Sequence, residues 1–319
     1  MRVEVIISIL NGEEYIEESV LSIINQTYSN WHLVLIDNAS TDNTLELLRK
    51  LQSIAPEKIT IKHFDENIKP SYRWMQVISI STADVFAISC HDDAWEHDKL
   101  AKQIEMMQNS NADIIHTNIK VIDTYGNEIK NAANTENSYR NALKYDSLKP
   151  IELAKEFAVS NSIRLSSVLI KNTVFQKYGG WEPGIWGGED WGLWVKFAAE
   201  GCKFCHLEAP LTIRRVHCKN ASSSSGYDRS FGFIKAIKII EEKYPFLSNR
   251  LLLKKDIVYK RIILLSIKNK QYSVAKEYSK YIKSKKKKNK QDILYLLLSY
   301  SGFIGKLVLK IKSVIYKKC

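Results

Sequence analysis

Cysteine and long apolar runs are scarce in this chain, and acidic residues are scarce in its last third. Five cysteines in 319 residues (Cys90, Cys202, Cys205, Cys218, Cys319) give no disulfide framework. Cys202 and Cys205 have C-x-x-C spacing, but with no second pair and no local histidine set a zinc site is not expected. The opening MRVEVIISIL meets Asn11, Gly12, Glu13 and Glu14 at once and lacks the pattern of a signal peptide, so a reduced, cytoplasmic setting is expected. The last apolar stretch, ILYLLLSYSGFIG (293–305), is short for a transmembrane helix and runs into Lys306, Lys310 and Lys312. Residues 226–319 hold 24 Lys/Arg and 6 Asp/Glu, a charge of +18; residues 1–225 hold 23 and 29, a charge of −6. Such asymmetry points to an anionic partner for the tail, a membrane surface or a nucleic acid. The acidic body and the absence of any nucleic-acid-binding motif favour the membrane and no nucleic acid.

The first hundred residues alternate strand and helix. VEVIISIL (3–10) is a nearly continuous apolar run, as a strand covered on both faces requires. EYIEESVLSIINQ (14–26) sets Ile16, Val20, Ile23 and Ile24 on one helical face. WHLVLI (31–36), ITIKHF (59–64) and VFAISC (85–90) read as further strands. Helices are expected through LELLRKL (45–51), with cap candidates in ASTDNT, and around Tyr72–Ser81. This β-α-β-α order implies a Rossmann-like, mostly parallel sheet with helices on both faces. Further on, ADIIHTNI and LSSVLIK read as strands, KFCHL as a short strand before PLTIRRVH, and everything past Phe231 as basic helix.

Ligands in such sheets bind beyond the carboxyl ends of the strands. Asn11, Asp37, Asn67, Asp92 and Asp93 all fall at or just past those ends, a coincidence that scattered surface residues would not produce. A second concentration is GIWGGEDWGLW (184–194), where glycines and tryptophans surround Glu189-Asp190. A carboxylate beside an apolar wall can be held ready as a base; equally, two acids suit the start of a helix. Taken alone, the stretch supports both readings.

Together these motifs resemble the family 2 glycosyltransferases, inverting enzymes of the GT-A fold, of the bacterial surface-polysaccharide type. The resemblance covers about residues 1–225. IISILNGEEYIEESVLSIINQTYSNWHLVLIDNASTDNT is similar to the family's opening, with Ser8-Ile9-Leu10 where the family has Pro-Thr-Tyr. By this resemblance Asp37 takes the position that accepts a pyrimidine ring N–H, and Asn67 and Arg73 fall at the nucleotide and diphosphate contacts; Arg73 reads equally as a solvated helix residue. CHDDAWEHDKLAKQ is similar to the family's metal motif, with Cys90 in place of the first aspartate and Asp92 left to bind Mn²⁺ or Mg²⁺. GGEDWGLWVKFAAEG matches the motif that opens the acceptor-side helix: Asp190 corresponds to the catalytic base and Glu189 to its support, while Trp186, Gly188 and Trp191 would line the acceptor site. PLTIRRVHCKNASSSS matches an R-x-H-x-x-N-x-S ending, which makes His217 a further metal ligand and gives Asn220 and Ser222 a part in ordering the loop.

The resemblance implies a metal-dependent hexosyl- or N-acetylhexosaminyl-transferase acting on a nucleotide-sugar, with a lean to UDP, and on a glycan or lipid-linked acceptor. A role in O-antigen or capsule assembly would follow, with residues 226–319 holding the enzyme to the inner face of the membrane. The competing reading is a GT-A-like protein that binds a nucleotide-sugar or glycan without turnover, suggested by Leu10 and Cys90.

Overall fold

The computed structural model describes residues 1–129, 148–183, 185, 187–218, 220, 226–285 and 287–300. The chain divides into two compact units, residues 1–183 with 189–220, and residues 184–188 with 221–319.

The first unit is built on an eight-stranded mixed sheet flanked by helices, the α/β class expected from the sequence. In chain order its strands are β1 (Val3–Ile9), β2 (Trp31–Asn38), β3 (Ile59–Phe64), β4 (Val85–Ser89), β5 (Ala94–Trp95), β6 (Ile114–Ile122), β7 (Val168–Lys171) and β8 (Phe204–Arg215). They lie in the order β3-β2-β1-β4-β7-β6-β8-β5. β1 pairs in parallel with β2 and β4, and β2 with β3. β1 and β4 are apolar almost throughout because helices cover both faces, and Val5, Ile6, Ile7, Val85 and Phe86 are wholly buried. Helices α1 (Ile16–Ile24), α2 (Thr44–Ile54), α3 (Pro70–Ile78) and α4 (Lys99–Ser110) connect or flank these strands. α1 turns Ile16, Val20 and Ile23 inward at helical spacing, while Ile24 lies at the margin and is only partly covered. α3 starts two residues before the sequence reading, on Pro70, whose fixed φ suits a first helical position.

Two readings are corrected. LSSVLIK is a 3₁₀ turn over Leu165–Ser167 followed by a four-residue strand. KFCHL and PLTIRR join into the single twelve-residue β8, whose register against β6 shifts around Asn118. That bulge absorbs Pro210, which lacks an amide hydrogen for the ladder.

Lys99, at the start of α4, is buried with no carboxylate bonded to it: Nζ donates to Gln103 Oε1 at 2.7 Å and lies 4.0 Å from the centre of the Trp95 ring. Burial drives its pKa down to about 7. An amine whose native pKa lies below its unfolded value holds fewer protons when folded. Stability should therefore rise with pH from about 7 towards the free-amine value, by up to about 1.4 kcal/mol per pH unit, and be flat below about 7. Urea titrations of Lys99→Met across that window should show this slope removed; an unchanged slope would place its source elsewhere.

The second unit consists of α8 (Gly226–Lys243), α9 (Ser248–Lys268), α10 (Tyr272–Ser284) and α11 (Lys290–Tyr300). Ile263, Ile267, Ala275, Ile282 and Leu298 form a core among α9, α10 and α11. Asp292 locks α11 in place. Its carboxylate meets Lys260 at 2.7 Å and Lys285 at 3.1 Å, while Asn289 and Asp292 exchange side-chain-to-amide hydrogen bonds in a capping box. These contacts hold its pKa down at about 2, against the burial that would raise it. Asp292→Ala leaves the buried Lys260 sharing Asp256 with Lys285, and should cost about 3 kcal/mol in urea unfolding of the full chain. Asp292→Asn, which keeps a cap acceptor, should cost less. Of the apolar stretch 293–305, Leu298 is buried and Leu294, Tyr295 and Leu296 pack against the bundle core, Ile293 and Leu297 are exposed, and residues 301–319 lie outside the described residues. No helix among the described residues is long and apolar enough to cross a membrane.

Candidate active site

Strand direction explains why distant residues meet. β1, β2, β3 and β4 run together, so Asn11, Asp37, Asn67 and the turn Cys90–Asp93 leave from one edge. β4 pairs antiparallel with β7, and β7 antiparallel with β6; two reversals restore the original direction. β8 runs parallel to β6, so its carboxyl end, Arg215 to His217, returns to the edge where β4 ended. After that turn the chain folds back as β5 against β8, with Ala94 opposite Ile213, which seats Asp92 and Asp93 beside the end of β8.

Here Asp92 Oδ2 lies 3.1 Å from His217 Nε2 and accepts a hydrogen bond from Asn220 Nδ2 at 2.7 Å. Asn220 Oδ1 in turn accepts the His217 amide at 2.7 Å, and the Tyr15 ring packs 4.8 Å from the imidazole. Asp93 faces inward. It accepts from Ser166 Oγ at 2.7 Å and from the Arg215 amide at 3.3 Å, and is 3% exposed. Burial first, then the charge of Asp92, pushes its carboxyl up to about 6, and the Arg164 guanidinium opposes them. The Cys90 thiol is raised well above its usual range, chiefly by burial and then by Asp93 and Asp92. Cys90 Sγ and one carboxylate oxygen from each of Asp92 and Asp93 lie within 4.8 Å of one another.

These residues fit a divalent cation. Burial and the charge of Asp92 raise the proton affinity of Asp93, so positive charge beside these carboxylates would be stabilising. Asp92 and His217 already converge, offering one oxygen and one nitrogen, a donor set that suits Mn²⁺ and, with phosphate oxygens and water, Mg²⁺. Asp93, held by Ser166 Oγ and the Arg215 amide, braces the turn. Cys90, a soft and protonated donor, is not suited to either ion.

At the β1–β2 end, Asn11 takes a positive φ of 52° and its Oδ1 accepts the Thr41 amide at 2.8 Å, fastening one strand-end loop to the next. Asp37 is wholly buried. Its oxygens meet the Ser40 amide at 3.2 Å and His63 Nδ1 at 2.7 Å, a pairing set by the β2–β3 register that puts Asp37 opposite His63. Asn67 and Arg73 converge on Asn38: Asn38 Nδ2 donates to Asn67 Oδ1 at 2.9 Å, and Arg73 Nε donates to Asn38 Oδ1 at 3.0 Å. The guanidinium also stacks 3.5 Å from the Phe64 ring centre and donates to the Glu66 carbonyl at 2.7 Å. Burial lowers its pKa, so Arg73 is an internal clamp and not a solvated helix residue.

Glu189 and Asp190 open helix α7 (Glu189–Ala199), in its first turn. Two tryptophans dock this helix. Trp191 Nε1 donates to the Phe157 carbonyl of α5 (Pro150–Val159) at 2.7 Å, and Trp194 Nε1 to the Ile163 carbonyl at 3.2 Å. Trp191 is 1% exposed, so it anchors the helix from the core and does not wall an acceptor cleft, a correction to the sequence reading. The anchoring brings the helix start to the Cys90 cluster, near enough for the charge of Asp190 to raise the Cys90 thiol. Gly187 and Gly188 have φ of +92° and +83°, and a Cβ on them would strike the Arg229 backbone and the Phe233 ring of α8. Trp186 and Ser222 lie outside the described residues.

Asn38, His63, Arg164 and Ser166 were missed from the sequence. Asn38 had one signal, its place next to Asp37 at a strand end; the others depend on pairings across the sheet.

Comparison with known proteins agrees with this geometry. The family model for glycosyl transferase family 2 matches residues 4–167, half of the chain. The O-antigen biosynthesis glycosyltransferase WbnJ of Escherichia coli is 24% identical over 70% of this chain and 83% of its own. Five other curated relatives, 28–33% identical, are matched over only 39–51% of their own length. Among solved structures, TarS 1-349 of S. aureus in complex with UDP-GlcNAc superposes with a TM-score of 0.63 at 12% identity, covering 88% of this chain and 81% of that one. The mannosyltransferase PcManGT of Pyrobaculum calidifontis, in complex with GDP-Man and Mn²⁺, gives 0.62 at 15% identity over 99% of this chain and 81% of that one. Those two likenesses speak for the GT-A fold, and the family match across β1 to the 3₁₀ turn before β7 shows that the chain belongs to glycosyl transferase family 2.

Proposed function

We propose that this chain is a metal-dependent, inverting glycosyltransferase that moves a hexosyl or N-acetylhexosaminyl group from a nucleotide-sugar, with a lean to UDP, to a hydroxyl of a lipid-linked or surface glycan. The observation that carries the reading is the convergence of Asp92, His217 and Asn220 at one strand edge, with the charge of Asp190 reaching the same cluster. Residues 1–225 would be the transferase domain, and 226–319 a helical basic region acting at the inner membrane face.

In this mechanism Asp190 accepts the proton of the acceptor hydroxyl as that oxygen attacks the anomeric carbon, and configuration inverts. Glu189 supports the base at the helix start. A nucleoside diphosphate leaves as a stable anion, so no carboxylic acid has to protonate it, in contrast to a glycoside hydrolase. Asp92 and His217 would hold Mn²⁺ or Mg²⁺, which when bound supplies positive charge beside the departing diphosphate. Asn220 holds the Asp92 carboxylate and the backbone of His217, and Asp37, Asn67 and Arg73, with Asn38 between them, shape the nucleotide end.

A screen of UDP-, dTDP- and GDP-sugars, with Mn²⁺ and with chelator, tests the reading. Metal-dependent release of one nucleoside diphosphate is expected. Metal-dependent binding without release under any acceptor would favour a binding protein that has lost turnover, and no nucleotide binding would overturn both.

A further inference from the structure

The exposed face of α9 carries a pattern that the transferase chemistry does not use. Arg250, Leu253, Ile257, Arg261, Leu264 and Lys268 follow one another at spacings of three and four, so they line a single face of the helix. Leu253 and Ile257 are 53% and 59% exposed, while Leu264 is half-buried, packed against the core of α9, α10 and α11. The opposite face, Leu251, Val258 and Ile262, is buried in the bundle, so the outward stripe is not needed for folding. Its charges are all basic. The helix has one acid, Asp256, and that carboxylate is tied to Lys260 at 2.8 Å and to Lys285 at 2.5 Å.

We infer that this face of α9 lies on an anionic lipid surface, Leu253 and Ile257 in the headgroup boundary and Arg250, Arg261 and Lys268 among lipid phosphates. Charge complementarity selects the occupant: exposed aliphatic residues bracketed by cations, in a region of charge +18, fit a negatively charged interface. No described helix is long and apolar enough to cross a bilayer. This face of α9 joins the apolar stretch 293–305 that the sequence analysis put at the membrane, where Ile293 and Leu297 are also exposed. The inference rests on the membrane-side part of the proposed function and not on the transfer chemistry.

Sedimentation of the full chain with phosphatidylcholine vesicles, with and without phosphatidylglycerol, tests it. Binding is expected only with the anionic lipid. L253E/I257E should weaken it about a hundredfold, roughly tenfold for each side chain lost to the interface. R250Q/K268Q should weaken it by about fivefold per cation. Both variants change exposed positions and should keep the parent melting temperature. Undiminished binding by L253E/I257E, or loss only on deleting residues 301–319, would overturn the assignment to α9. So would a dimer that L253E/I257E converts to monomer without any vesicle binding. Nucleotide binding measured on the same samples separates the two readings: vesicle binding without nucleotide binding sinks the transferase alone, and the reverse sinks this surface alone.

Discussion

Asp190→Asn should lower the rate of sugar transfer by about 10²–10⁴ while leaving donor affinity and the melting temperature unchanged. Asparagine keeps the shape and the hydrogen-bonding reach of aspartate but cannot take a proton. The substitution sits in the first turn of α7, where either residue is tolerated, and the helix is fastened further along by Trp191 and Trp194. The loss should therefore fall on kcat, with little change in KM for the donor, because the base acts only as the acceptor attacks. Retained turnover would show that Asp190 is not the base. Glu189→Gln on the same assay would then decide whether its neighbour takes that part.

Asp92→Ala should reduce metal-supported turnover by about three orders of magnitude, several kcal/mol of charge stabilisation beside the leaving diphosphate. A direct Mn²⁺ titration by calorimetry, without donor, should show the affinity falling with it. Asp92 is also a structural partner of Asn220 and His217, so a melting curve has to accompany the kinetics. Asn220→Ala makes the separating control: it removes the group that holds the Asp92 carboxylate and the His217 backbone but no ligand, and should weaken Mn²⁺ by roughly 10–100-fold without abolishing binding. Unchanged Mn²⁺ affinity in Asp92→Ala would remove this residue from the metal site.

The two experiments probe parts of the chain that were unequally legible. The four parallel strands could be read from composition, since VEVIISI and VFAIS are too uniformly apolar for anything but strands covered on both faces. The residues at their ends followed from that. Arg73 did not: on a helix of ordinary amphipathic pattern it looks solvated, and only the approach of Asn38, Phe64 and the Glu66 carbonyl makes it an internal clamp. Trp191 misled in the other direction. Beside a suspected base a tryptophan suggests a wall, but the helix period turns this one into the core, where its N–H finds the Phe157 carbonyl.

By itself the sequence determined the class of fold, the strand edge at which polar residues gather, and the split between an acidic body and a basic helical tail. Those rest on local periodicity and on counts of charge, which need no partner. The resemblance already put His217 and Asp92 on one metal ion; the tertiary structure decided how they meet across 125 positions, through two antiparallel steps that return β8 to the edge where β4 ends. It also decided which lysines of the tail are spent on Asp256 and Asp292, and so which face of α9 is left outward. Periodicity shows that a helix has two faces; only its neighbours determine which of them is buried.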